Sequence, residues 1–117
     1  MLVILMNNEK NTISFSEFEK INLQVGKIIN VEKLEGYNKI LKILVDLGNE
    51  KRQIMSGIAK YYSPDELINK FVIVCTNLEP KRFGENASNG MILAASKDKK
   101  PILLTVFEDV DLGSQVI

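Results

Sequence analysis

The chain has 117 residues, of which 45% are hydrophobic and 26% are charged, a composition typical of one folded domain rather than of a disordered segment. Histidine is absent and cysteine occurs once, so Ser-His and Cys-His catalysis, an internal disulfide and most zinc sites are excluded. Because 15 Lys/Arg balance 15 Asp/Glu, the zero net charge argues against a strongly basic nucleic-acid binder.

Residues 1–12 begin with the apolar run MLVILM and are predicted to form an N-terminal arm in front of a domain at 13–117. We expect neither a signal peptide nor a membrane span, because the run has six residues and no basic segment before it, whereas a membrane helix needs about 20. An edge strand, or an arm that docks on another surface, fits the run better. The single Cys75 favours the cytoplasm, and we expect no contact with a membrane.

Strand patterns dominate the first half of the domain. Residues 23–34 are rich in β-branched side chains, and Gly26 stands where a bulge or a sharp coil would need a missing side chain. Apolar residues alternate between 39 and 47, and turn residues then lead into a short strand at 52–56. The segment 39–56 is therefore predicted to form a β-hairpin.

The second half adds one helix and three strands. The pattern S-P-D-E has the spacing of a capping box with a proline start, and it predicts a short helix at 63–68. The run 71–78 is apolar on both faces, as in a central strand, and further strands are expected at 90–96 and 101–107. The lysine-rich residues 97–100 between those two strands are predicted to form a hairpin turn.

This order of elements predicts an all-β protein. The expected architecture is a five-stranded Greek-key barrel of the OB-fold type, with a short helix between strands 3 and 4 and additional terminal strands. OB-folds commonly bind oligonucleotides across one face and its bordering loops. Because a fold by itself does not establish a function, the charged and polar residues have to be considered separately.

Positive charge is concentrated in two blocks of the chain. Residues 20–60 carry eight Lys/Arg against four acids (8 − 4 = +4), and residues 81–100 carry five against two (5 − 2 = +3). The segments around these blocks are acidic. Folding could gather the two blocks on one face, or the lysines could be spread over a mixed and solvated surface; the charge pattern alone favours the second arrangement.

A first candidate cluster for binding a polyanion lies in GYNKILK (36–42), where a polar loop enters a predicted strand. Asn38, Lys39 and Lys42 are its candidate contacts, because amide and ammonium groups bond phosphate oxygens. The alternative is an ordinary amphipathic strand, with Lys42 solvated on the outer face of the barrel.

A second cluster lies in RQIMSGIAKYY, between a strand and a helix. Arg52 offers a planar fork suited to phosphate or to stacking on a base, and Ser56 stands at the end of the strand. The alternative for Arg52 is an ion pair with an acid such as Glu50, which is the commoner role of a surface arginine. Tyr61 and Tyr62 could stack on bases, although packing at a helix edge is the commoner role of such tyrosines.

The third cluster is PKRFGENASNGMILAAS, in which basic residues, hydroxyl groups and a thioether surround a turn. Such a loop suits single-stranded or looped RNA, because lysines bond phosphate, hydroxyls and amides bond base edges or 2′-OH groups, and methionine packs on a base face. The alternative is a turn with Met91 filling the core. The candidate contacts are Lys81, Arg82, Ser88, Met91 and Ser96.

Four stretches in this order, INLQVGKI, NKILKILVDLG, RQIMSGIAKYYSPDELINK and NLEPKRFGENASNGMILAAS, resemble the tRNA-binding domain of methionyl-tRNA synthetases. That module is appended to the synthetase or occurs as a free-standing subunit, and the resemblance covers residues 13–117. It implies an OB-fold homodimer that binds tRNA by shape, near the outer corner of the L, without sequence reading or catalysis. We expect neither a cofactor nor a metal site. A methionyl-tRNA synthetase catalytic chain is implied as a further partner.

Carried onto this sequence, the resemblance implies a groove formed by Asn38, Lys39, Lys42, Arg52, Ser56, Lys81, Arg82, Ser88, Met91 and Ser96. Charge reversal at Lys42, Arg52 or Arg82 is expected to weaken RNA binding and to leave the melting temperature nearly unchanged. The neutral charge, and Gln24 where the family commonly has arginine, imply weaker binding with a shallower salt dependence. The alternative within the family is a chaperone-like module that binds unfolded peptides in the same groove.

Overall fold

The computed structural model describes residues 11–117, so the predicted arm at 1–12 lies outside the described residues except for its last two positions. The elements are short, and most of them are strands. In chain order they are the helix α1 (Phe15–Phe18), the strands β1 (Leu23–Lys33), β2 (Leu41–Asp46) and β3 (Lys51–Ser56), the helix α2 (Pro64–Leu67), and the strands β4 (Phe71–Cys75), β5 (Lys81–Phe83), β6 (Asn86–Ser88), β7 (Met91–Ile92), β8 (Ala94–Lys97) and β9 (Lys100–Leu103).

Five strands form one antiparallel sheet in the order β3-β2-β1-β4-β7. The long β1 holds it together, because Leu23–Lys27 pair with β4 while Lys27–Lys33 pair with β2. A Cβ on Gly26 would collide with the Val45 side chain. Strand β1 can therefore coil closely over β2 only because residue 26 has no side chain. Strands β2 and β3 pair as the hairpin predicted for 39–56.

Hydrogen bonds between β3 and the segment that enters β7 bring the sheet almost to closure. The Asn89 N–H donates to the Gln53 carbonyl at 2.9 Å, and the Met55 N–H donates to Ser88 Oγ at 2.9 Å. The result is a nearly closed five-stranded antiparallel barrel, which confirms the predicted fold class. In this article the contacts between β3 and residues 88–90 are called the seam.

Aliphatic side chains fill the barrel, since alternate residues of each strand point inwards. Burying one such side chain stabilises the fold by about 1.5–3 kcal/mol. Helix α2 lies between the third and fourth strands, as predicted, and packs Leu67 against the same core. The Ser63 N–H before the helix donates to Glu66 Oε2 at 3.2 Å, which is the capping-box contact that starts the helix. Among residues 11–117, the largest fully buried side chains are Ile28, Leu41, Ile43, Val45, Leu47, Ile54, Val72 and Val74.

The strand expected at 90–96 is instead two strands, because the chain changes partners at Leu93. The Leu93 N–H donates to the Ile73 carbonyl of β4 at 2.9 Å, whereas its own carbonyl accepts from the Leu104 N–H at 3.1 Å. Strands β8 and β9 therefore form a hairpin outside the main sheet, and its turn lies in the lysine-rich segment as predicted. Strand β9 also ends earlier than expected, at Leu103.

Candidate nucleic-acid interface

A cleft with a volume of ≈ 650 Å³ opens on the outer face of β3, beside the β5–β6 hairpin. The hairpin is held against β3 by Gln53, whose Nε2 donates to the Ala87 carbonyl at 3.1 Å. We call this space the first cleft. The residues that line it are mainly apolar, with one lysine and one glutamate among them. The lining residues with long side chains are Ile40, Met55, Leu78, Glu79, Lys81, Phe83 and Met91.

Aromatic contacts support the two loops that border the first cleft. The Tyr37 ring, in the β1–β2 loop, lies 5.9 Å from the Phe83 ring in an edge-to-face arrangement at 78°. Lys81 Nζ lies 5.3 Å from the centre of the Phe83 ring, within range of a cation–π interaction. The β1–β2 loop and the β5–β6 hairpin therefore stabilise each other at the position where OB-folds carry their binding loops.

Met91 lines the first cleft and is 49% exposed, so it does not fill the core. Its neighbour Ile92 is 7% exposed and packs inside the barrel, because successive side chains of a strand point to opposite faces. Leu78, also in this cleft, is 46% exposed. The first cleft thus presents flexible apolar atoms, from Met91, Leu78 and the buried Met55, to a flat ligand.

A second cleft of ≈ 400 Å³ adjoins the first, and the two share Gly57 in their lining. The second cleft is strongly basic. Its remaining lining residues are Lys39, Lys60, Tyr61, Lys99 and Pro101. Lys39 and Lys60 come from the first basic block of the chain and Lys99 from the second, so folding does gather positive charge from both blocks around one concave surface.

The lysines of the two clefts are available to a ligand. Lys39, Lys60, Lys81 and Lys99 are all exposed, and among residues 11–117 none of them lies within salt-bridge distance of an acid. Lys60 and Lys99 were not among the sequence candidates. Lys60 precedes a tyrosine pair and Lys99 belongs to a predicted turn, and neither pattern by itself points to a ligand site.

Arg52 is engaged in the barrel itself. Its Nε and Nη2 donate to the Glu50 carboxylate at 2.9 Å and 3.3 Å, and Nη1 donates to the carbonyls of Thr76 at 2.6 Å and Asn89 at 3.3 Å. The hydrogen bond from Arg52, aided by its positive charge, lowers the pKa of the Glu50 carboxyl, whereas desolvation acts in the opposite direction. Four hydrogen bonds leave little of the guanidinium free for phosphate.

Two other predicted basic contacts are not among the residues that line the two clefts. Lys42, on the outer face of β2, forms an ion pair with Glu32 on β1, with Nζ and Oε1 3.4 Å apart. Arg82 is exposed, but it lies between Lys81 and Phe83 in β5, and alternation along the strand directs it to the other face of the hairpin. Both residues border the site without lining it.

The predicted polar contacts also differ in position. Asn38 is exposed in the β1–β2 loop beside Lys39, and Ser56 is half-buried at the end of β3 beside Gly57. Ser88 belongs to the lining of the first cleft but is only 5% exposed, and its hydroxyl accepts from the Met55 N–H and donates to the Gly90 carbonyl at 3.0 Å. Ser96 is exposed in β8, where it pairs with Pro101 of the second cleft. The Ser88 hydroxyl is therefore used inside the seam, whereas Ser96 faces solvent.

Another cleft, of ≈ 540 Å³ beside α2, is less suited to a polyanion because Asp65 and Glu66 lie in its wall together with Lys70. Within residues 11–117 no group of three or more histidine, cysteine or acidic side chains is arranged to hold a metal ion. No helix in that range is long and apolar enough to cross a membrane.

Comparison with known proteins relates this geometry to one family. Residues 23–115 match a family model described as "Putative tRNA binding domain". A methionine–tRNA ligase of Archaeoglobus fulgidus is 44% identical over 108 residues, a match that covers 92% of this chain and 16% of that protein. The chain thus spans only a small part of that curated relative.

Solved structures share the fold over nearly the whole chain. The MetRS related protein from Pyrococcus horikoshii superposes with a TM-score of 0.87 at 38% identity, covering 92% of this chain and 100% of that chain. The CsaA chaperone protein from Picrophilus torridus superposes with a TM-score of 0.83 at 28% identity, covering 91% of this chain and 100% of that chain.

Proposed function

Because this chain belongs to the tRNA-binding domain family, we propose that it is a non-catalytic module that binds tRNA by shape and assists a methionyl-tRNA synthetase. It would do so either as a separate beta subunit or as an appended domain. The observation that carries the proposal is the pair of adjoining clefts, into which lysines from two distant parts of the sequence converge.

The local charge supports a polyanionic ligand even though the whole chain is neutral. The two clefts contain four lysines against Glu79, a local balance of 4 − 1 = +3. Screening limits the reach of a charge to about 8 Å at physiological salt, so the charge close to the ligand matters more than the net charge. Tyr61, 44% exposed in the second cleft, and the apolar wall of the first cleft add surfaces on which bases pack.

A second candidate function is the binding of unfolded peptides. It is favoured by the apolar lining of the first cleft, by the zero net charge, and by the structural similarity to a chaperone at 28% identity. An extended peptide would use the apolar side chains and would not require the lysines of the second cleft. We rank this function below tRNA binding, because three of the five residues that line the second cleft besides Gly57 are lysines.

Titration against an in vitro transcribed tRNA and against an unfolded peptide, each at several salt concentrations, tests the proposal. For tRNA we expect the logarithm of the binding constant to fall linearly with the logarithm of salt concentration. Lys60→Gln and Lys99→Gln should each reduce that slope by about 0.7–0.9. Lys70→Gln, in the cleft beside α2, is the matched control and should leave the slope unchanged. Salt-independent binding of the peptide, without binding of tRNA, would refute the proposal.

We further propose that the protein acts as a homodimer, in the cytoplasm where tRNA is used. Apolar side chains near both ends of the described chain support a self-contact, since Phe15 is 72% exposed and Phe107 is fully exposed. A groove of ≈ 480 Å³ lies between α1 and the C-terminal segment, lined in part by Phe18, Ile21 and Val116. Burying such side chains against a second copy would remove them from water.

The mass in solution tests the dimer. We expect Phe15→Ser to shift the protein from the mass of a dimer towards that of a monomer, whereas Leu78→Ser, an equally simple change in the first cleft, should leave it dimeric. Removal of residues 1–11 tests separately whether the N-terminal arm takes part. A wild-type protein that is monomeric at high concentration would contradict the proposed self-contact.

A further inference from the structure

Gly57 lies at the junction of the first and second clefts and lines both of them. Its φ is not in the left-handed region, where a side chain would be strained. A Cβ built on it would meet only Ile40 Cδ1, at 4.0 Å, which is an ordinary contact. Neither the backbone conformation nor the packing of the described residues therefore requires a glycine at this exposed position.

The other glycines of the chain each have a structural reason within residues 11–117. Five have a positive φ, and Gly26 is covered by β2. Gly90, which lines the first cleft only a short distance away, has a φ of 134° and would place a Cβ 3.0 Å from the Cys75 carbonyl oxygen. Gly57 is thus the one glycine that neither the backbone conformation nor the packing of residues 11–117 explains, and its missing side chain points to contact with a ligand.

We propose that the bare backbone at Gly57 is the point where the sugar–phosphate chain of a single-stranded RNA segment crosses from one cleft to the other. This inference rests on the proposed function and deepens it. Glycine allows a ligand to approach a protein backbone more closely than any other residue does. Lys81 stands in the cleft on one side of Gly57, and Lys39, Lys60 and Lys99 stand in the cleft on the other, so phosphates near this crossing are attracted from both sides.

The chemistry of the two clefts specifies looped rather than double-stranded RNA. The first cleft offers the apolar side chains of Met55, Leu78 and Met91, which bind the face of a base only when that base is unstacked. The second cleft offers lysines and Tyr61, which suit phosphates and an adjoining base. A duplex keeps its bases stacked, so it presents phosphates, 2′-hydroxyls and base edges but no free base face. The ligand class is therefore an RNA loop in which an unstacked base adjoins exposed phosphates.

Substitutions that add bulk at Gly57 test this crossing point. The probes are an in vitro transcribed tRNA and an RNA duplex of similar length, each titrated against the wild type, Gly57→Ala and Gly57→Leu. We expect the melting temperature of Gly57→Ala to equal or slightly exceed that of the wild type, because an added Cβ meets no close contact, and we expect the exposed leucine to cause no large loss of stability. The tRNA affinity should fall about threefold for alanine and about tenfold or more for leucine, whereas the duplex affinity should stay within about twofold.

Two controls separate bulk from position. Ala95→Leu adds bulk at an exposed residue of β8 that lines neither cleft, and it should leave the tRNA affinity unchanged. Gly90→Ala marks the opposite case, because the backbone there requires glycine and the substitution should lower the melting temperature. If Gly57→Leu lowers the melting temperature as well, its loss of affinity could come from misfolding, and the alanine variant is then the test of the proposal. A Gly57→Ala variant that has the melting temperature and the tRNA affinity of the wild type overturns the proposal.

The remaining outcomes distinguish this inference from the proposed function. A wild type that binds tRNA, together with a Gly57→Leu variant that binds it equally well, overturns the crossing point and leaves tRNA binding intact. A wild type that does not bind tRNA overturns both. A Gly57→Leu variant that loses affinity for an unfolded peptide but not for tRNA overturns the RNA path in favour of a peptide path through the same clefts.

Discussion

Replacement of Ser88 by alanine tests whether this residue belongs to the barrel or to the RNA site. Ser88 is 5% exposed, and its Oγ accepts from the Met55 N–H at 2.9 Å and donates to the Gly90 carbonyl at 3.0 Å. Met55 is itself 7% exposed, so its N–H depends on this hydroxyl rather than on water. The substitution removes one oxygen atom and with it a contact of the seam.

The expected loss follows from the group left without a partner. A buried donor without an acceptor costs about 1–3 kcal/mol, and the half-buried Gly90 carbonyl can turn to water at little further cost. We therefore expect the free energy of unfolding to fall by about 1–3 kcal/mol. For a chain of 117 residues each kcal/mol corresponds to a shift in melting temperature of about 3–6 °C.

Urea unfolding, a thermal melt and a tRNA titration well below the melting temperature together decide the question. Ser96→Ala is the matched control, because Ser96 is exposed and makes no side-chain hydrogen bond among the described residues; its stability should stay within about 0.5 kcal/mol of the wild type. For Ser88→Ala we expect reduced stability with nearly unchanged tRNA affinity. Unchanged stability with weakened tRNA binding would show that the hydroxyl contacts RNA and that our account of the seam is wrong.

Three further predictions concern charged groups. Arg52→Glu should lower the free energy of unfolding by about 1–2 kcal/mol, because the guanidinium bonds two backbone carbonyls; an unchanged melting temperature would restore the expectation that Arg52 affects binding alone. The pKa of Glu50 is lower in the folded state than in the unfolded state, so the wild type should be more stable than Glu50→Gln above the unfolded-state pKa. That difference in stability should disappear as the pH falls through the folded-state pKa, and thermal melts in which it does not change with pH would refute the prediction. Lys42→Gln should weaken tRNA binding less than Lys60→Gln, because Glu32 already neutralises Lys42, and equal losses in parallel titrations would contradict that reasoning.

Much of the barrel could be predicted from the sequence because its signals are local. Alternation of apolar residues at 39–47 reports which face of a strand is buried, and the S-P-D-E pattern at 63–66 reports a helix start through contacts within one turn. The prediction failed at 90–96 for the converse reason. Nothing local marks Leu93 as the residue at which the chain changes partners, because Ile73 and Leu104 are distant in sequence.

Some of the predicted site residues line the clefts in the structure, and others are used within the barrel. Met91, Lys81 and Lys39 line the clefts. Ser88 also lines the first cleft, but its hydroxyl, like the Arg52 guanidinium, is used in hydrogen bonds that hold the barrel together, with Met55 and Gly90 for Ser88 and with Thr76 and Asn89 for Arg52. A polar side chain next to a loop looks the same in a sequence whether its partner is solvent, a ligand or a distant carbonyl. Residue type alone therefore could not separate contacts of the seam from candidates for RNA.

The sequence by itself determined the class of fold and the exclusion of histidine chemistry, since propensity, periodicity and composition act over a few residues or over the whole chain at once. Only the tertiary structure decided that Lys39 and Lys60 would lie beside Lys99, and that Gly57 would be bare where two clefts meet. Charges separated along the chain add their attraction only when folding brings them within a screening length of one another. That distance is a property of the closed barrel and is not encoded in any single segment.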